Sequence, residues 1–373
     1  MRELEQIRQQ INGVDERLVP LLEERLHASA DVADYKKAHG MEIFQPERER
    51  AVIERAVGML KDKGLSRAVA DIVASVMDVG KLCQLSRICE GGDELEREPF
   101  DRGAKVAYQG VPGAFSSQAA ESYFGSLDNA AAYPTFGAVI DAIDRGEVKY
   151  GVLPLENSTI GSVVEVYDLL AARSMYIVGE IWQPIRHALV GVRGARLGDV
   201  RRVVSKAEAL GQCAEFLERG GWEQSPYVNT AAAAKSVAES GDKSVAAIAS
   251  ESAAKLYGLD VLACPVNDVK DNYTRFIIVS ARLTDREADK VSVSFVVDNE
   301  CGTLHRVLGM FARLGVNMSK IESRPDKKNP AKYYFVADLE GSCKGKEMRL
   351  ALAAAKTMTH DFKLLGEYRK GSI

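Results

Sequence analysis

The sequence predicts a multidomain protein with an all-α N-terminal segment, an α/β middle segment and an α+β C-terminal segment. Three patterns predict this. The first segment repeats apolar residues at steps of three and four, as an amphipathic helix does. The second alternates short apolar strands with turns and Ala-rich helices, and the third follows the strand–helix–strand–strand–helix–strand order of a ferredoxin-like fold. We expect the segments at 1–90, 104–282 and 290–373, with a charged, Gly-containing linker at 91–103.

Composition excludes several classes of function. The 373 residues are 46% hydrophobic and 27% charged, which is typical of a globular chain. A net charge of −4 gives no reason to expect a nucleic-acid or anionic-membrane partner. No apolar run approaches the roughly 18 residues that a membrane span needs, and the polar first ten residues do not resemble a signal peptide.

The cysteines and histidines predict neither disulfides nor a metal. The 6 cysteines are scattered and include no Cys-x-x-Cys pair, so we expect free thiols in a reducing cytoplasm. The 5 histidines show no metal-ligand spacing. We therefore expect a cytoplasmic protein without a metal or another cofactor.

The first helix places three cations on the same stripe as its apolar residues. The residues at successive three- and four-residue steps are Arg8, Ile11, Asp15, Leu18, Leu22, Arg25, Ser29, Val32 and Lys36. A cation inside a helix bundle is costly unless an anion meets it. Pairing with an acid of the chain, or exposure of the charged tips to water, would explain the stripe equally well. Pro20 removes one backbone hydrogen bond, so we expect a bend in a continuing helix.

Two further helices complete the polar set of the N-terminal segment. One opens with Gln45-Pro46-Glu47-Arg48-Glu49, with proline at its first turn, and the other ends near Gly80-Lys81-Leu82-Cys83-Gln84. In order and spacing this set resembles the active site of the all-helical chorismate mutases. The matching residues are Arg8, Arg25, Lys36, Gln45, Arg48, Glu49, Gly80 and Gln84.

The resemblance implies a role for each of these residues. Arg8 would reach the neighbouring subunit's site, and Arg25 and Arg48 would hold substrate carboxylates. Lys36 and Gln84 would donate to the ether oxygen that gains charge in the pericyclic rearrangement. Glu49 would accept the ring hydroxyl. Gln45 and Gly80 are also expected to contact substrate, at positions where the family usually has an acid and a serine.

Two strands of the middle segment each lead into a hydroxyl-rich turn and a helix. The turns are Gly110–Ser117 and Pro154–Ser162. Free N–H groups at a helix N-terminus suit a carboxylate, although capping by Ser, Thr or Asn needs no ligand. Neither turn is a Walker loop or a Gly-x-Gly-x-x-Gly fingerprint, so nucleotide binding is not predicted.

A third string, Thr274-Arg275-Phe276, stands at the start of an apolar strand. A hydroxyl beside a guanidinium suits protonation of a leaving hydroxyl while a carboxylate is held. With the two turns, this string resembles prephenate dehydratase. That family implies two α/β lobes like the type II periplasmic binding proteins, here 104–184 with 265–282, and 185–264.

The resemblance assigns residues in this segment too. Thr274 would be the hydrogen-bond donor at the leaving oxygen, Arg275 would bind a carboxylate, and Phe276 would pack. Lys206–Cys213 keeps only part of a family string, including Gln212. Further substrate contacts are expected from Ser116, Asn157, Ser158, Thr159 and Thr230, with Glu156 as an anchor behind them.

Two strings of the last segment resemble the loops with which ACT domains bind phenylalanine between paired subunits. The first opens a helix and the second follows the strand Val316–Ile321. A dimerisation domain without an effector is the alternative. The residues expected to bind the effector are Gly302, Thr303 and Leu304, and then Glu322, Ser323, Arg324 and Pro325.

The whole chain therefore resembles the bifunctional chorismate mutase–prephenate dehydratases of phenylalanine biosynthesis. This implies conversion of chorismate to prephenate and of prephenate to phenylpyruvate, inhibition by phenylalanine, and a homodimer or homotetramer. A mutase-like segment that only dimerises remains an alternative, motivated by Gln45, Gly80 and Pro20. A non-enzymatic sensor with a ligand-binding cleft is a second alternative. Whether arogenate is accepted stays open.

Overall fold

The computed structural model describes residues 3–89, 95–325 and 333–372. The chain divides into two compact units, Met1–Leu95 with Val293–Lys363, and Glu96–Ser292 with Leu364–Ile373. Each unit thus combines segments that are far apart in sequence. In the expected linker 91–103, residues 91–94 lie outside the described part of the chain. No helix among the described residues is long and apolar enough to cross a membrane.

After the first three, the α-helices of the described residues are interspersed with strands. They are α1 Leu4–Ala38, α2 Pro46–Gly58, α3 Ser66–Ile88, α4 Phe115–Phe124, α5 Phe136–Asp144, α6 Val164–Ala172, α7 Ala207–Gly211, α8 Ala214–Gly220, α9 Thr230–Ser240, α10 Glu251–Tyr257, α11 Thr303–Arg313 and α12 Lys346–Met358.

The strands all follow the helical N-terminal segment. They are β1 Arg97–Glu98, β2 Val106–Gln109, β3 Ala130–Tyr133, β4 Tyr150–Asn157, β5 Gly161–Ser162, β6 Tyr176–Pro184, β7 Ala188–Gly191, β8 Arg202–Ser205, β9 Glu223–Pro226, β10 Val245–Ala249, β11 Asp260–Ala263, β12 Tyr273–Ser280, β13 Leu283–Thr284, β14 Lys290–Val297, β15 Met318–Pro325, β16 Tyr333–Glu340 and β17 His360–Tyr368.

The helical part of the first unit is built around α3. Helix α1 is continuous through Pro20, as expected, and α2 begins at Pro46, whose missing N–H is not needed in a first turn. A short 3₁₀ turn precedes α3, and Asp62 accepts a hydrogen bond from the Gly64 backbone there at 2.8 Å. Both α1 and α2 pack on α3, whose last turns are its most buried part.

The first unit also contains most of the α+β segment, Val293–Lys363. The strand order β15-β16-β14-β17 confirms the ferredoxin-like prediction. Helices α11 and α12 pack on each other, and α12 packs on α3. Leu85 of α3 shares a buried apolar cluster with Met310, Leu350 and Ala354. The expectation for β15 was wrong in length: the strand pairs with β16 as far as Pro325, so the second effector string is strand and not loop.

The second unit has two lobes, as predicted. One lobe has the sheet order β6-β12-β4-β2-β3, and the other has the order β11-β7-β10-β8-β9. Strands β4 and β12 lie inside the first sheet with neighbours on both sides, which explains their long apolar runs. The chain crosses to the second lobe after Pro184 and returns before Tyr273, close to the expected limits.

A bulge determines which side chains of β4 and β12 lie opposite each other. Thr274 lies opposite Asn157, and Arg275 opposite Glu156, but Phe276 lies opposite Pro154. Leu155 is thus the extra residue of a β-bulge, and a bulge tolerates a proline, which cannot donate to the ladder. The strand extends beyond its expected end at 153, so Glu156 and Asn157 are strand residues and not turn residues.

Candidate functional sites

Thr274 lies at the centre of a hydrogen-bonded group in the second unit. Its side chain is buried, and its Oγ1 accepts a hydrogen bond from Asn157 Nδ2 at 2.9 Å. The same amide nitrogen lies 2.8 Å from Asn272 Oδ1. Because Thr274 accepts from Asn157, its own hydroxyl hydrogen remains available as a donor to a ligand. The register that puts the two residues opposite each other produces this arrangement.

The hydrogen bonds continue from Asn157 into the other lobe. Thr159 Oγ1 donates to Asn157 Oδ1 at 2.7 Å, and Gln212 Nε2 donates to Thr159 Oγ1 at 3.0 Å. Gln212 Oε1 lies 2.8 Å from His187 Nε2. Burial lowers the pKa of His187, so the neutral ring donates to the Gln212 amide oxygen. Neutral groups therefore connect the two lobes.

A cavity of about 370 Å³ lies where these residues meet. Both lobes contribute to its wall, since Thr159 belongs to the first and Gln212 to the second. The residues that line it are Thr159, Ile160, Glu208, Gly211, Gln212, Asn267, Asp268, Val269 and Asn272. A cleft between two lobes with convergent amide and hydroxyl groups is a typical small-molecule site.

Arg275 is directed away from that group because neighbouring strand residues point to opposite faces. Its side chain is 2% exposed, and its Nε donates to Glu180 Oε2 at 2.6 Å. Arg275 Nη2 donates to Tyr368 OH at 2.9 Å, and Lys290 Nζ lies 2.6 Å from Glu180 Oε1. The expectation that Arg275 grips a substrate carboxylate does not agree with this placement, since its guanidinium is held by the protein's own groups.

The other predicted contacts of this segment are spread over loops and helix starts. Ser116 is buried in the first turn of α4, and Ser158 Oγ accepts from the Tyr273 backbone at 3.0 Å. Glu156 lies 3.8 Å from the Arg275 guanidinium, consistent with an anchor. Thr230 opens α9, where Asn229 caps the helix. Capping thus accounts for Asn229.

In the first unit, four charged side chains form a compact cluster. Lys81 Nζ lies 2.9 Å from Glu49 Oε1 and 2.8 Å from Asp78 Oδ1. Arg306 Nη2 lies 2.8 Å from Glu49 Oε2 and 3.1 Å from Asp78 Oδ1. The centre of the Phe44 ring lies 5.0 Å from Lys81 Nζ and 5.7 Å from Arg306 Cζ. The charges of two cations and two carboxylates therefore compensate each other in a region that is mostly shielded from water.

Lys36 and Gln84 lie at the edge of this cluster. Lys36 Nζ donates to the Ile43 carbonyl at 2.8 Å. Burial lowers the pKa of Lys36, Glu49 raises it and Lys81 lowers it further. Gln84 is buried one turn after Lys81, and its Oε1 has no hydrogen-bond partner among the described residues. Both predicted ether-oxygen donors are thus within the same polar region.

Ser29 occupies the space that a side chain at position 80 would need. A Cβ on Gly80 would lie 2.9 Å from Ser29 Oγ. That hydroxyl donates to the Arg25 carbonyl at 2.9 Å and also contacts the Arg25 guanidinium. Gly80 stands where the family usually has a serine, and Ser29 of α1 places its hydroxyl in the space beside this glycine.

The remaining residues predicted for this site are not brought to the charged cluster. Arg8 lies on the exposed start of α1 and pairs with Glu5 at 3.9 Å. Arg25 and Arg48 are exposed, and Gln45 is half-buried before α2. The expectation for Arg8 involves a neighbouring subunit, so its role stays a prediction.

The predicted effector residues lie on α11 and β15. Gly302 has φ of +86°, which glycine adopts without strain, and it precedes the first turn of α11. Thr303 Oγ1 donates to the Glu300 carbonyl at 2.9 Å, and Leu304 is half-buried. Glu322 lies 3.6 Å from Arg324 Nη1, on one face of β15. Ser323 and Pro325 alternate with them and are exposed.

The sequence analysis does not predict several residues of the Thr274 group and of the charged cluster around Glu49. Arg306, Asp78 and Lys81 were not singled out, although the last two are spaced i, i+3 on the buried face of α3. Gln212 was recognised as part of a string but not as a site residue, and His187 was not considered. An isolated buried histidine carries little signal in a sequence, because its partner comes from another element.

Three family models match the chain in order. Chorismate mutase type II matches residues 7–84, prephenate dehydratase matches 106–284, and the ACT domain matches 291–342. These matches agree with the two polar regions described above and with the ferredoxin-like segment.

Known proteins resemble the chain over different lengths. A bifunctional chorismate mutase/prephenate dehydratase of Aquifex aeolicus is 33% identical over 377 residues, covering 100% of this chain and 99% of the relative. The structure of prephenate dehydratase from Arthrobacter aurescens in complex with L-Phe has a TM-score of 0.65 and 31% identity, over 71% of this chain and 90% of that one. A structure described as a novel type of quorum-quenching acylase has a TM-score of 0.65 and 32% identity, over 70% of this chain and 97% of that one.

The last two proteins each match about 70% of this chain, and their described activities differ. The match that includes the N-terminal helical segment spans essentially the whole of both chains. The chain therefore belongs to the family of bifunctional chorismate mutase/prephenate dehydratases.

Proposed function

We propose that this protein rearranges chorismate to prephenate in its helical segment and converts prephenate to phenylpyruvate, water and CO₂ in its two-lobed segment. The observation that carries the proposal is the presence of both polar regions on one chain that matches bifunctional relatives over its full length. Phenylalanine binding to the ACT segment would inhibit the enzyme.

The rearrangement needs no covalent catalyst, so the protein has to hold a compact conformer and stabilise the developing charge. Lys36 and Gln84 supply N–H donors for the ether oxygen as its carbon–oxygen bond breaks. Glu49, held by two cations, accepts the ring hydroxyl. Arg25 and Arg48 bind the carboxylates, and Arg8 completes the site of a second subunit.

In the dehydratase reaction, the bond to the ring carboxylate breaks and its electron pair enters the ring as CO₂ leaves. The ring hydroxyl departs and takes a proton to become water. Thr274 donates its hydrogen bond to that oxygen because Asn157 already donates to Thr274. Thr159 and the neighbouring Ser158 bind the substrate, and Arg275 with Glu156 supports the strand behind them.

The assembly and location are also part of the proposal. The exposed face of α1 carries Ile7, Ile11, Val14, Leu18 and Leu21, and a second copy would cover these apolar residues in a homodimer or homotetramer. The 6 free cysteines suit a reducing cytoplasm. We assign the mutase to 1–90, the linker to 91–103, the dehydratase to 104–282 and the effector domain to 290–373.

The test is an assay of the purified full-length chain with chorismate, without added metal or cofactor. We expect prephenate to form first and phenylpyruvate to follow, and phenylalanine to slow the second product. Prephenate supplied directly separates the two steps. If chorismate is consumed no faster than in a protein-free control while phenylpyruvate forms from added prephenate, the helical segment is only a dimerising module.

A further inference from the structure

We propose that Arg306, on the first helix of the ACT segment, is a positioning residue of the chorismate site that holds Glu49 and so transmits effector binding to the mutase. The inference rests on the proposed mutase function. The inference extends that function, because it adds to the chorismate site a residue from outside the helical segment.

The contacts of Glu49 carry the argument. Its two carboxylate oxygens are each held by a different cation, Oε1 by Lys81 at 2.9 Å and Oε2 by Arg306 at 2.8 Å. A carboxylate held at both oxygens has a fixed orientation. Glu49 is the group expected to accept the ring hydroxyl, so the direction in which it points decides how well it can do so.

The charges of the cluster explain why a second cation is needed. Asp78 lies 2.8 Å from Lys81 and 3.1 Å from Arg306, so both acids share both cations. The side chains of Glu49, Asp78 and Lys81 are 16%, 8% and 7% exposed, which limits screening by water, whereas the side chain of Arg306 is 34% exposed. Without Arg306, Lys81 would be the cation left within ion-pair distance of both carboxylates among the described residues, and Glu49 Oε2 would lose the partner that fixes its direction.

The position of Arg306 in α11 connects the cluster to the predicted effector string. The Arg306 backbone N–H donates to the Gly302 carbonyl at 3.0 Å, so the residue lies in the first turn of the helix that this string opens. One turn further on, Met310 is buried in the apolar cluster with Leu85 of α3. A shift of the start of α11 on effector binding would therefore move the guanidinium relative to Glu49.

Linkage makes this coupling reciprocal. If phenylalanine changes the affinity for chorismate through Arg306, chorismate changes the affinity for phenylalanine by the same factor. Arg306 forms its ion pairs with Glu49 and Asp78 of the helical segment, so we expect dehydratase activity not to depend on it.

The experiment compares full-length wild type with Arg306→Gln, Arg306→Lys and the control Arg313→Gln, an exposed arginine later on the same helix. For Arg306→Gln we expect kcat/KM for chorismate to fall by about 10-fold or more, chiefly through KM, which is the scale for one lost charged partner. The phenylalanine dependence of chorismate KM should disappear. Arg306→Lys should recover part of both, and Arg313→Gln should match wild type.

Dehydratase kcat/KM with prephenate, measured on the same samples, should stay within about twofold, since a global folding defect would lower both activities. A double variant distinguishes positioning from mere support. In a Glu49→Gln background, Arg306→Gln should cause little further loss, because the group it orients is already changed. Additive losses would contradict the inference.

Normal chorismate kinetics and a normal phenylalanine response in Arg306→Gln would overturn the inference about Arg306 but leave the proposed mutase function standing. A wild-type chain that does not turn over chorismate would overturn the proposed mutase function together with it. The two failures are therefore distinguishable in one set of assays.

Discussion

The two polar regions of this chain use opposite electrostatic arrangements. Around Glu49 in the first unit, two carboxylates and two cations compensate each other at distances of 2.8 to 3.1 Å. Around Thr274 in the second unit, the connected groups are a hydroxyl, amides and a neutral imidazole. A buried ion cluster of the second unit, in which Glu180 holds Arg275 and Lys290, lies on the opposite face of β12 from Thr274.

The difference follows from what each proposed reaction requires. A pericyclic step involves no proton transfer, so fixed charges can stabilise its polarised transition state directly. Loss of a ring hydroxyl needs a hydrogen-bond donor at the departing oxygen, and a neutral chain of donors can supply one without an unpaired ion. A guanidinium next to a proposed catalytic hydroxyl in sequence can therefore be held by the protein's own groups, as Arg275 is by Glu180 and Tyr368.

Removing the Thr274 hydroxyl should have the largest effect. We expect Thr274→Ala to lower dehydratase kcat by about 10²- to 10⁴-fold, the usual contribution of a positioned proton donor, with chorismate turnover unchanged. Thr274→Ser keeps the hydroxyl and should retain most of the rate. Steady-state assays with prephenate and chorismate measure both. A fully active Thr274→Ala would remove Thr274 from the mechanism.

Removing Glu180 should reduce stability more than chemistry. Glu180→Ala leaves Arg275 and Lys290 buried without their shared carboxylate, and we expect a loss of about 3–5 kcal/mol in the free energy of unfolding. Urea denaturation checks this. Glu98→Ala, which removes a partly exposed ion pair with Arg282, is the matched control and should cost less than about 1 kcal/mol. Equal losses would show that burial of the Glu180 network is unimportant.

Raising the pH should weaken the mutase before the dehydratase. Burial lowers the pKa of Lys36 below its ordinary 10.5, so its ammonium is lost at a lower pH than that of an exposed lysine. Above the lowered pKa we expect mutase kcat to fall about 10-fold per pH unit. The unfolded chain holds this proton more tightly, so the Lys36 contribution to stability rises with pH between the two pKa values.

Rate–pH profiles with each substrate test this. The groups connected to Thr274 are hydroxyls, amides and an imidazole and include no lysine, so dehydratase activity should not share this alkaline decline. Lys36→Arg keeps its charge and should remove the alkaline decline of whatever mutase activity it retains. Coincident alkaline declines for both activities in the wild type would indicate unfolding and would contradict the Lys36 assignment.

Filling the space at Gly80 should have the smallest effect. Gly80→Ser forces Ser29 Oγ to move, because the new Cβ would lie 2.9 Å from it, and overpacking of this kind costs about 1–3 kcal/mol. Adding Ser29→Ala should recover most of the loss. Gly58→Ser, at a position with no atom within 4 Å, is the control. Thermal unfolding of the four proteins makes the comparison.

Much of the fold could be predicted because it depends on local patterns. The steps of three and four residues predicted α1, and the alternation of Val291–Val297 predicted β14. The end of β4 was placed too early, because Pro154 was interpreted as the start of a turn. Pairing with β12 outweighs that local preference, and the bulge removes the need for the proline's N–H.

The sites were predictable only where a residue's neighbours are close in sequence or come from a recognised string. Thr274 and Asn157 were found in that way, and the structure brings them together. Arg306 reaches Glu49 across 257 positions of sequence, and Gln212 reaches Thr159 across 53. No local pattern encodes such contacts, because they depend on how separate elements pack.

The bulge at Leu155 shows how the pairing of two strands can decide which functional group lies beside a hydroxyl. If β4 kept Leu155 but paired with β12 without the bulge, Leu155 would lie opposite Arg275 and Glu156 opposite Thr274, so a carboxylate would lie where the Asn157 amide now donates. An acceptor-only group there would capture the threonine's hydrogen and withhold it from any bound molecule. One step of strand register therefore decides which functional group meets the Thr274 hydroxyl, although the order of the side chains along the chain stays the same.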